Sequence, residues 1–440
     1  MKKNKNVIFL CLIVFTLILA GCGSSNNESA DGDSDTVTIK FNHWYDEETG
    51  NWDEVVDAFE KEHPNIKVDS DPLVDNLNAS DYLKQLDLRA SAGETLDVVM
   101  FSNPYDYSKR VDEGLLAPLD SYIEEEGIDV EEIYSGLFSQ GKIDDSYYGL
   151  PGKKNTYLVA LNKDDLDDAG LSVPTDWTWD DYKDYAKKLT EDDGKHYGSY
   201  LHTFNDFYFM LKVLSKSENN FILNEDGSSN MDDPMIKESL KLRYELENED
   251  NSSVPYKDTI SQDLDFRQQF FSKEASMIPM TSVMSSEWGE YEPDFNIAFA
   301  PWPKNEKDDD FEFYNAGDVL SIADSSEHKE EAYEFIRWMS TEGMKVQKRS
   351  LSAWNETDLE EEIDTVVSNS NTPEKVDKES LKYVLEISED SDQFIPKPYV
   401  KEAYSEYEDE VEKYLLGKQD LDTTIENATE KVQKVVDDNS

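Results

Sequence analysis

The stretch from Tyr148 to Leu189, YGLPGKKNTYLVALNKDDLDDAGLSVPTDWTWDDYKDYAKKL, constrains the fold more than any other part of the chain. Pro151 has no amide hydrogen and drives Leu150 to extended backbone angles, so the chain must reach Gly152 as a strand or turn. The run Tyr157 to Leu161 is then apolar without alternation, the pattern of a strand buried on both faces and covered by helices. Thr178 can cap a helix whose apolar stripe is Tyr182, Tyr185, Ala186 and Leu189, spaced i, i+3, i+4, i+7. One sheet is therefore expected to end, and another to begin, near Lys153.

The ordered series Tyr148-Gly149-Leu150-Pro151, Leu161-Asn162-Lys163-Asp164-Asp165-Leu166, Asp168 to Leu171, Pro174 to Tyr182, Ala186 to Thr190 and Asp193 to Gly198 resembles the extracellular carbohydrate-binding proteins of ATP-binding-cassette importers. The resemblance extends over about 36–348, and more loosely over 394–437. It implies an α/β, two-lobed fold of the periplasmic-binding-protein kind (type II), like maltose-binding protein. Each lobe would be a mainly parallel sheet flanked by helices, and a multi-crossing hinge would join them.

Length agrees with two lobes, since 440 residues exceed one ordinary core. A formal charge of −56 repels phosphates and so excludes nucleic acid and anionic membrane surfaces as partners. Lys2, Lys3 and Lys5 precede an apolar run from Val7 to Ala20, the layout of an export signal over residues 1–21. The sequence Leu19-Ala20-Gly21-Cys22 resembles a bacterial lipoprotein signal, which implies a diacylated Cys22 at the mature N-terminus. Cleavage also removes Cys11, the other of the 2 cysteines, so no disulfide, zinc cluster or thiol nucleophile is expected in the folded part. Residues 22–35 form the lipidated Cys and a Gly/Ser/Asp-rich tether, whose 13 residues after Cys22 reach about 20 Å.

The body begins with alternating Val37, Ile39 and Phe41, then Asn42 to Asp46, then a helical stripe of Trp52, Val55, Val56 and Phe59. Ile66 to Val68 and Leu96 to Phe101 read as further strands. Such β-loop-α-β order predicts parallel strands with ligand-facing loops at their carboxyl ends, where Trp44–Asp46 and Asn103–Tyr105 fall. Phe204 to Lys216 reads as a helix behind a loop carrying Asn205. Phe266 to Met277 is similar to the family's helix-to-strand element, with Ser272 in place of its Gly. The family's following Gly-x-Trp is absent, and Trp288 comes later. Ala316 to Ile322 resembles a strand re-entering the first lobe, and a helix with Ala332, Phe335, Ile336 and Met339 follows. The first lobe is thus expected to comprise 36–152 plus 312–345, and the second 153–311 plus 346–440, joined by three crossings. The acidic segment from Asp358 to Ser380 shows little periodicity and is expected to be a loose surface loop.

Aromatic residues make up 12% of the chain, with 8 Trp and 24 Tyr, and flat rings with polar edges suit sugars. Trp44 and Tyr45 are the expected ring platforms, with Asp46, Asn103, Asn155 and Asp318 as hydroxyl partners. Phe101, Tyr105, Asn205, Trp288, Trp302, Gly317 and Trp354 complete the expected ligand-binding set. Core packing competes for every ring in it, and helix stapling is the expected role of Trp177 and Trp179. The five His are scattered without metal-like spacing, and no catalytic residue, metal or cofactor is expected. No phosphate-binding G-x-x-x-x-G-K-[ST] loop exists, so the ATPase would be a separate chain. Function is read as a monomeric receptor that is held on the extracellular face of the cytoplasmic membrane by its lipid anchor alone. It would deliver a carbohydrate to permease subunits. A receptor for a cationic or peptide ligand, or a secreted glycan-active enzyme, are the alternatives.

Overall fold

The computed structural model describes residues 36–75, 77–134, 142–143, 146–191, 194–203, 206–216, 221–312, 315–388 and 397–439. The export signal, Cys22, the tether, Phe204 and Asn205 lie outside the described residues.

Two sheets carry the architecture. In the first, Val37–His43 runs between Ile66–Pro72 and Val98–Phe101, parallel to both, in the register Val37 to Ile66 and Phe41 to Val98. Val319–Ile322 then pairs antiparallel with Val98–Phe101 on one side and Gly149–Pro151 on the other. Four of these five strands therefore point one way, and the reversed one is the strand that returns from the second sheet. In the second sheet the ten-residue strand Lys153–Asn162 is central and antiparallel to both Ala275–Thr281 and Ile297–Pro301. Tyr197–Ser199 runs parallel to Ala275–Thr281. Again one strand is reversed, here the one arriving from the first sheet. Each sheet is mainly unidirectional, and its exception is the strand that crossed over.

The lack of alternation in Tyr157–Leu161 has a plain cause. Tyr157, Val159 and Leu161 enter one hydrophobic cluster, while Leu158 and Ala160 enter another on the opposite face. Helix Trp179–Leu189 covers the first of these faces. Thr178 Oγ1 accepts the Asp181 N–H, the Asp181 carboxylate accepts the Thr178 N–H, and Trp179, Tyr182, Ala186 and Leu189 are buried. A third cluster holds the first lobe together, with Ile39, Phe41, Met100, Leu150, Leu320, Phe335 and Ile336 among its members.

The Asp358–Ser380 segment is a correction. It folds into helix Leu359–Ser368, capped by Asp358, and the start of helix Lys378–Ile387, capped by Asp377. Ile363, Val367, Leu381 and Val384 pack into the second-sheet core and Val366 is buried as well, a stripe masked in the sequence by surrounding acidic residues that face solvent. The expected helix over Phe204–Lys216 also differs, because its described part is a short 3-10 turn, Asp206–Phe209, followed by turns. Met210, Leu211, Val213 and Leu214 are all fully buried in the second-lobe core in this turn conformation.

The chain passes between the sheets at three places that lie side by side. Gly149–Pro151 leads directly into Lys153–Asn162; Asn315–Ala316 pairs with Thr156 and Asn155 before Val319–Ile322; Leu351–Ser352 pairs with Lys154 and Lys153. Gly317 makes the approach of the first two possible, since a Cβ there would stand 2.0 Å from the Lys153 carbonyl oxygen. At the third, Glu362 accepts the Ser352 N–H, and burial pushes its carboxyl from 4.5 up to about 7, partly opposed by that bond, Thr357 and the lysines 154 and 345.

Two outcomes follow for stability. Gly317→Ala should cost about 1–3 kcal/mol in urea unfolding, because the obstructing atom is backbone and cannot rotate away. Glu362 has a folded pKa above its unfolded one, so its charging cost grows as pH rises from about 4.5 through about 7. Glu362→Gln should therefore stabilise the protein by about 1–2 kcal/mol at pH 8, after discounting for partial solvation, and by nearly nothing below pH 4.5. Equal gains at both pH values would contradict the assignment.

Candidate functional site

The region where the three crossings meet gathers side chains from both lobes. Tyr45 follows the first strand, Lys153 opens the central strand of the second sheet, Asp318 immediately precedes Val319–Ile322, and Glu287 follows a 3-10 turn in the second lobe. The Lys153 ammonium donates to Tyr45 Oη at 2.5 Å and lies 3.5 Å from Asp318 Oδ2 and 3.4 Å from Glu287 Oε1. Tyr45 Oη in turn donates to Asp318 Oδ2 at 3.1 Å. The side chains of Lys153, Glu287 and Asp318 are only 7%, 12% and 7% exposed.

Burial dominates the electrostatics here. It works to lower Lys153, yet the charges of Asp318 and Glu287 outweigh it and hold the ammonium well above 10.5, so Lys153 stays charged. Burial and the neighbouring Glu287 push Asp318 upward against the pull of Lys153, and burial with Asp318 pushes the Tyr45 phenol well above 10.0. Two carboxyls therefore share one ammonium.

The expected ligand contacts are placed as follows. Trp44 is buried, its ring centroid 4.9 Å from that of Tyr45 and 5.3 Å from that of Tyr82. Asp46 is exposed and caps the helix Glu47–Gly50 by accepting the Thr49 N–H. Phe101 is in the first-lobe core with the Arg110 guanidinium 5.7 Å from its ring centre. Asn103 caps helix Pro104–Asp112: its Oδ1 accepts the Asp106 N–H at 2.9 Å and its Nδ2 donates to Asp106 Oδ2 at 2.8 Å. Tyr105 lies in the first turn of that helix, its side chain outside the described set. Asn155 is half-buried on the crossing strand opposite Ala316, and its side-chain amide has no partner among the described residues. Gly317 and Asp318 lie at the second crossing.

Three tryptophans divide differently. Trp288 is 1% exposed, donates its indole N–H to the Met284 carbonyl and packs on Phe271. Trp302, also 1% exposed, donates to the Leu211 carbonyl and packs edge-on against Tyr157 and Trp179. These two rings belong to the cores on opposite faces of the second sheet. Trp354 is half-buried just beyond the third crossing, with the Lys345 ammonium 4.2 Å from its ring centre. The structure thus brings Trp44, Tyr45, Asn155, Gly317 and Asp318 to one place and sends Trp288 and Trp302 elsewhere. Trp177 and Trp179 are core residues too, their indoles donating to the Pro301 carbonyl and Ser215 Oγ.

Sequence reasoning missed Lys153 and Glu287. The signal for the first was available, a lysine pair at the start of a strand that is otherwise apolar. Glu287 had none, being one acidic residue among 98 Asp and Glu. A second tie between the lobes was also missed: Lys401 Nζ reaches Asp106 Oδ1 at 2.7 Å. His196 Nε2 is 2.7 Å from Ser276 Oγ, and Ser276, fully buried in strand Ala275–Thr281, donates to Asp165 Oδ2 of helix Lys163–Asp168 at 2.7 Å, so its hydroxyl ties a strand to a helix. Among the described residues no group of three or more His, Cys, Asp or Glu is placed to hold a metal ion.

Comparison with known proteins fits this architecture. Arabinooligosaccharide-binding proteins of Bacillus subtilis and Halalkalibacterium halodurans are 26% identical over 245 and 131 residues, which is 51% and 30% of this chain. The matches span 52% and 28% of those relatives, so about half of their length at most. The fold is similar to that of an ABC substrate-binding protein from Listeria monocytogenes in complex with cycloalternan, at a TM-score of 0.75 and 22% identity, covering 92% of this chain and all of that one. The model of the bacterial extracellular solute-binding proteins matches residues 45–346, which include strands of both sheets and the first two crossings. The chain belongs to the bacterial extracellular solute-binding protein family.

Proposed function

We propose that this chain is a lipid-anchored extracellular receptor that binds a carbohydrate, an oligosaccharide, between its lobes and delivers it to the permease of an ATP-binding-cassette importer. The carrying observation is the family match across both sheets, read together with relatives whose names specify arabinooligosaccharides. Ring faces and amide groups at the crossings supply the two kinds of surface that a sugar needs. The Asn155 side-chain amide, on the strand opposite Ala316, has no partner among the described residues and so keeps its hydrogen-bonding capacity.

The lobes are taken as 36–152 plus 312–345 and 153–311 plus 346–440. Anchoring at Cys22 is inferred from Leu19-Ala20-Gly21-Cys22 behind a basic and apolar leader. Among the described residues no helix is long and apolar enough to cross a membrane. The receptor acts as a monomer, uses no cofactor and leaves its ligand chemically unchanged. A cationic ligand is the second reading, favoured by the surplus carboxyl in the Lys153 cluster.

Calorimetric titration with arabinotriose, maltotriose and cycloalternan should give saturable binding of at least one. Its affinity should change less than about threefold when salt shortens the Debye length from about 10 to about 3 Å. Loss of tenfold or more over that range, or heat only with cationic ligands, would favour the second reading. Asn155→Ala should weaken binding about tenfold, the worth of about one buried hydrogen bond, with little effect on unfolding.

A further inference from the structure

Tyr45 and Asp318, expected from sequence to grip a ligand, are already bonded to each other and to Lys153. The cluster has a further property that a ligand subsite does not need. It touches every crossing and both lobes: Lys153 belongs to the first crossing, Asp318 to the second, and Ser350 of the third donates to Glu287 Oε1 at 3.2 Å. Tyr45 is carried by the first lobe and Glu287 by the second, where Arg267 Nε holds the Glu287 carbonyl at 2.8 Å beside the core residue Trp288.

We infer that Lys153 is a positioning residue that sets the angle between the lobes, with Tyr45 and Asp318 serving this clasp and not the ligand. Any bend between the lobes must lengthen the bond from the ammonium to Glu287 on one side, or to Tyr45 and Asp318 on the other. All three are strongest where water is excluded, so the arrangement has one preferred separation. The Lys401–Asp106 tie is different in kind, because the Lys401 side chain is 58% exposed and water and salt screen it. It serves as an internal comparison.

The inference deepens the receptor reading, since an interlobe angle matters to a protein that closes on a guest. Its test uses protein without ligand, so its failure would leave the ligand assignment untouched. Spin labels carried by unnatural amino acids at the exposed positions Asp57 and Lys188, one in each lobe, report the interlobe distance in the full-length processed protein. Lys153→Met and Glu287→Gln should each broaden the distribution and shift its mean. Lys153→Arg, which keeps the charge, should restore a single narrow peak, and Lys401→Met should leave the distribution as in the wild type. Should Lys153→Met fail to fold, Glu287→Gln decides alone, because Gln keeps the acceptor for Ser350. Distributions unchanged in every folded variant, or a lowered melting temperature with no change in distance, would overturn the proposal.

Discussion

Three polypeptide segments passing between two sheets at one place must bring backbone against backbone, and everything else in this protein accommodates that crowding. Gly317 is there because its missing Cβ leaves room for the Lys153 carbonyl. The short pairs Asn315–Ala316 and Leu351–Ser352 exist because crossing segments need partners for their amides, and the first residues of the central strand supply them. Polar side chains buried at the junction then need one another, which is why two carboxyls and a phenol converge within 3.5 Å of one ammonium nitrogen.

That central strand links the layers. Its far half is apolar on both faces and joins the two cores of the second lobe, while its near half is polar and faces the other sheet. A single segment of ten residues therefore changes its surroundings from charged junction to dry interior along its length. The reversed strand in each sheet continues a crossing: Lys153–Asn162 follows the first and Val319–Ile322 the second.

Much of this was legible beforehand. Pro151, the non-alternating Tyr157–Leu161 and the Thr178 cap place a sheet boundary near Lys153, where it is found, because each acts through backbone geometry or local periodicity. Trp44, Tyr45 and Asp318 could be placed near the junction because strand ends can be read from pattern. The partners of their polar atoms could not, since the separations from Asp318 to Tyr45 and from Glu287 to Lys153 are set only by the folded chain. Trp288 and Trp302 stand beside the preferred Trp44 in the expected set for the same reason: ring type is visible in a sequence, and the face that a ring presents is not. The acidic stretch after Asp358 misled because its stripe of Ile363, Val366 and Val367 is short and flanked by charges, so composition outweighed period.

Strand order also carries a consequence for how the molecule assembles. The first sheet takes four strands from the first 151 residues, yet the strand lying between Val98–Phe101 and Gly149–Pro151 is Val319–Ile322. The second sheet depends likewise on Ile297–Pro301, and its junction on Leu351–Ser352. Neither lobe can mature on its own as the ribosome proceeds from the amino end; both wait for distant sequence and then complete nearly together. Slow, concerted closure of widely separated segments is what such a topology dictates.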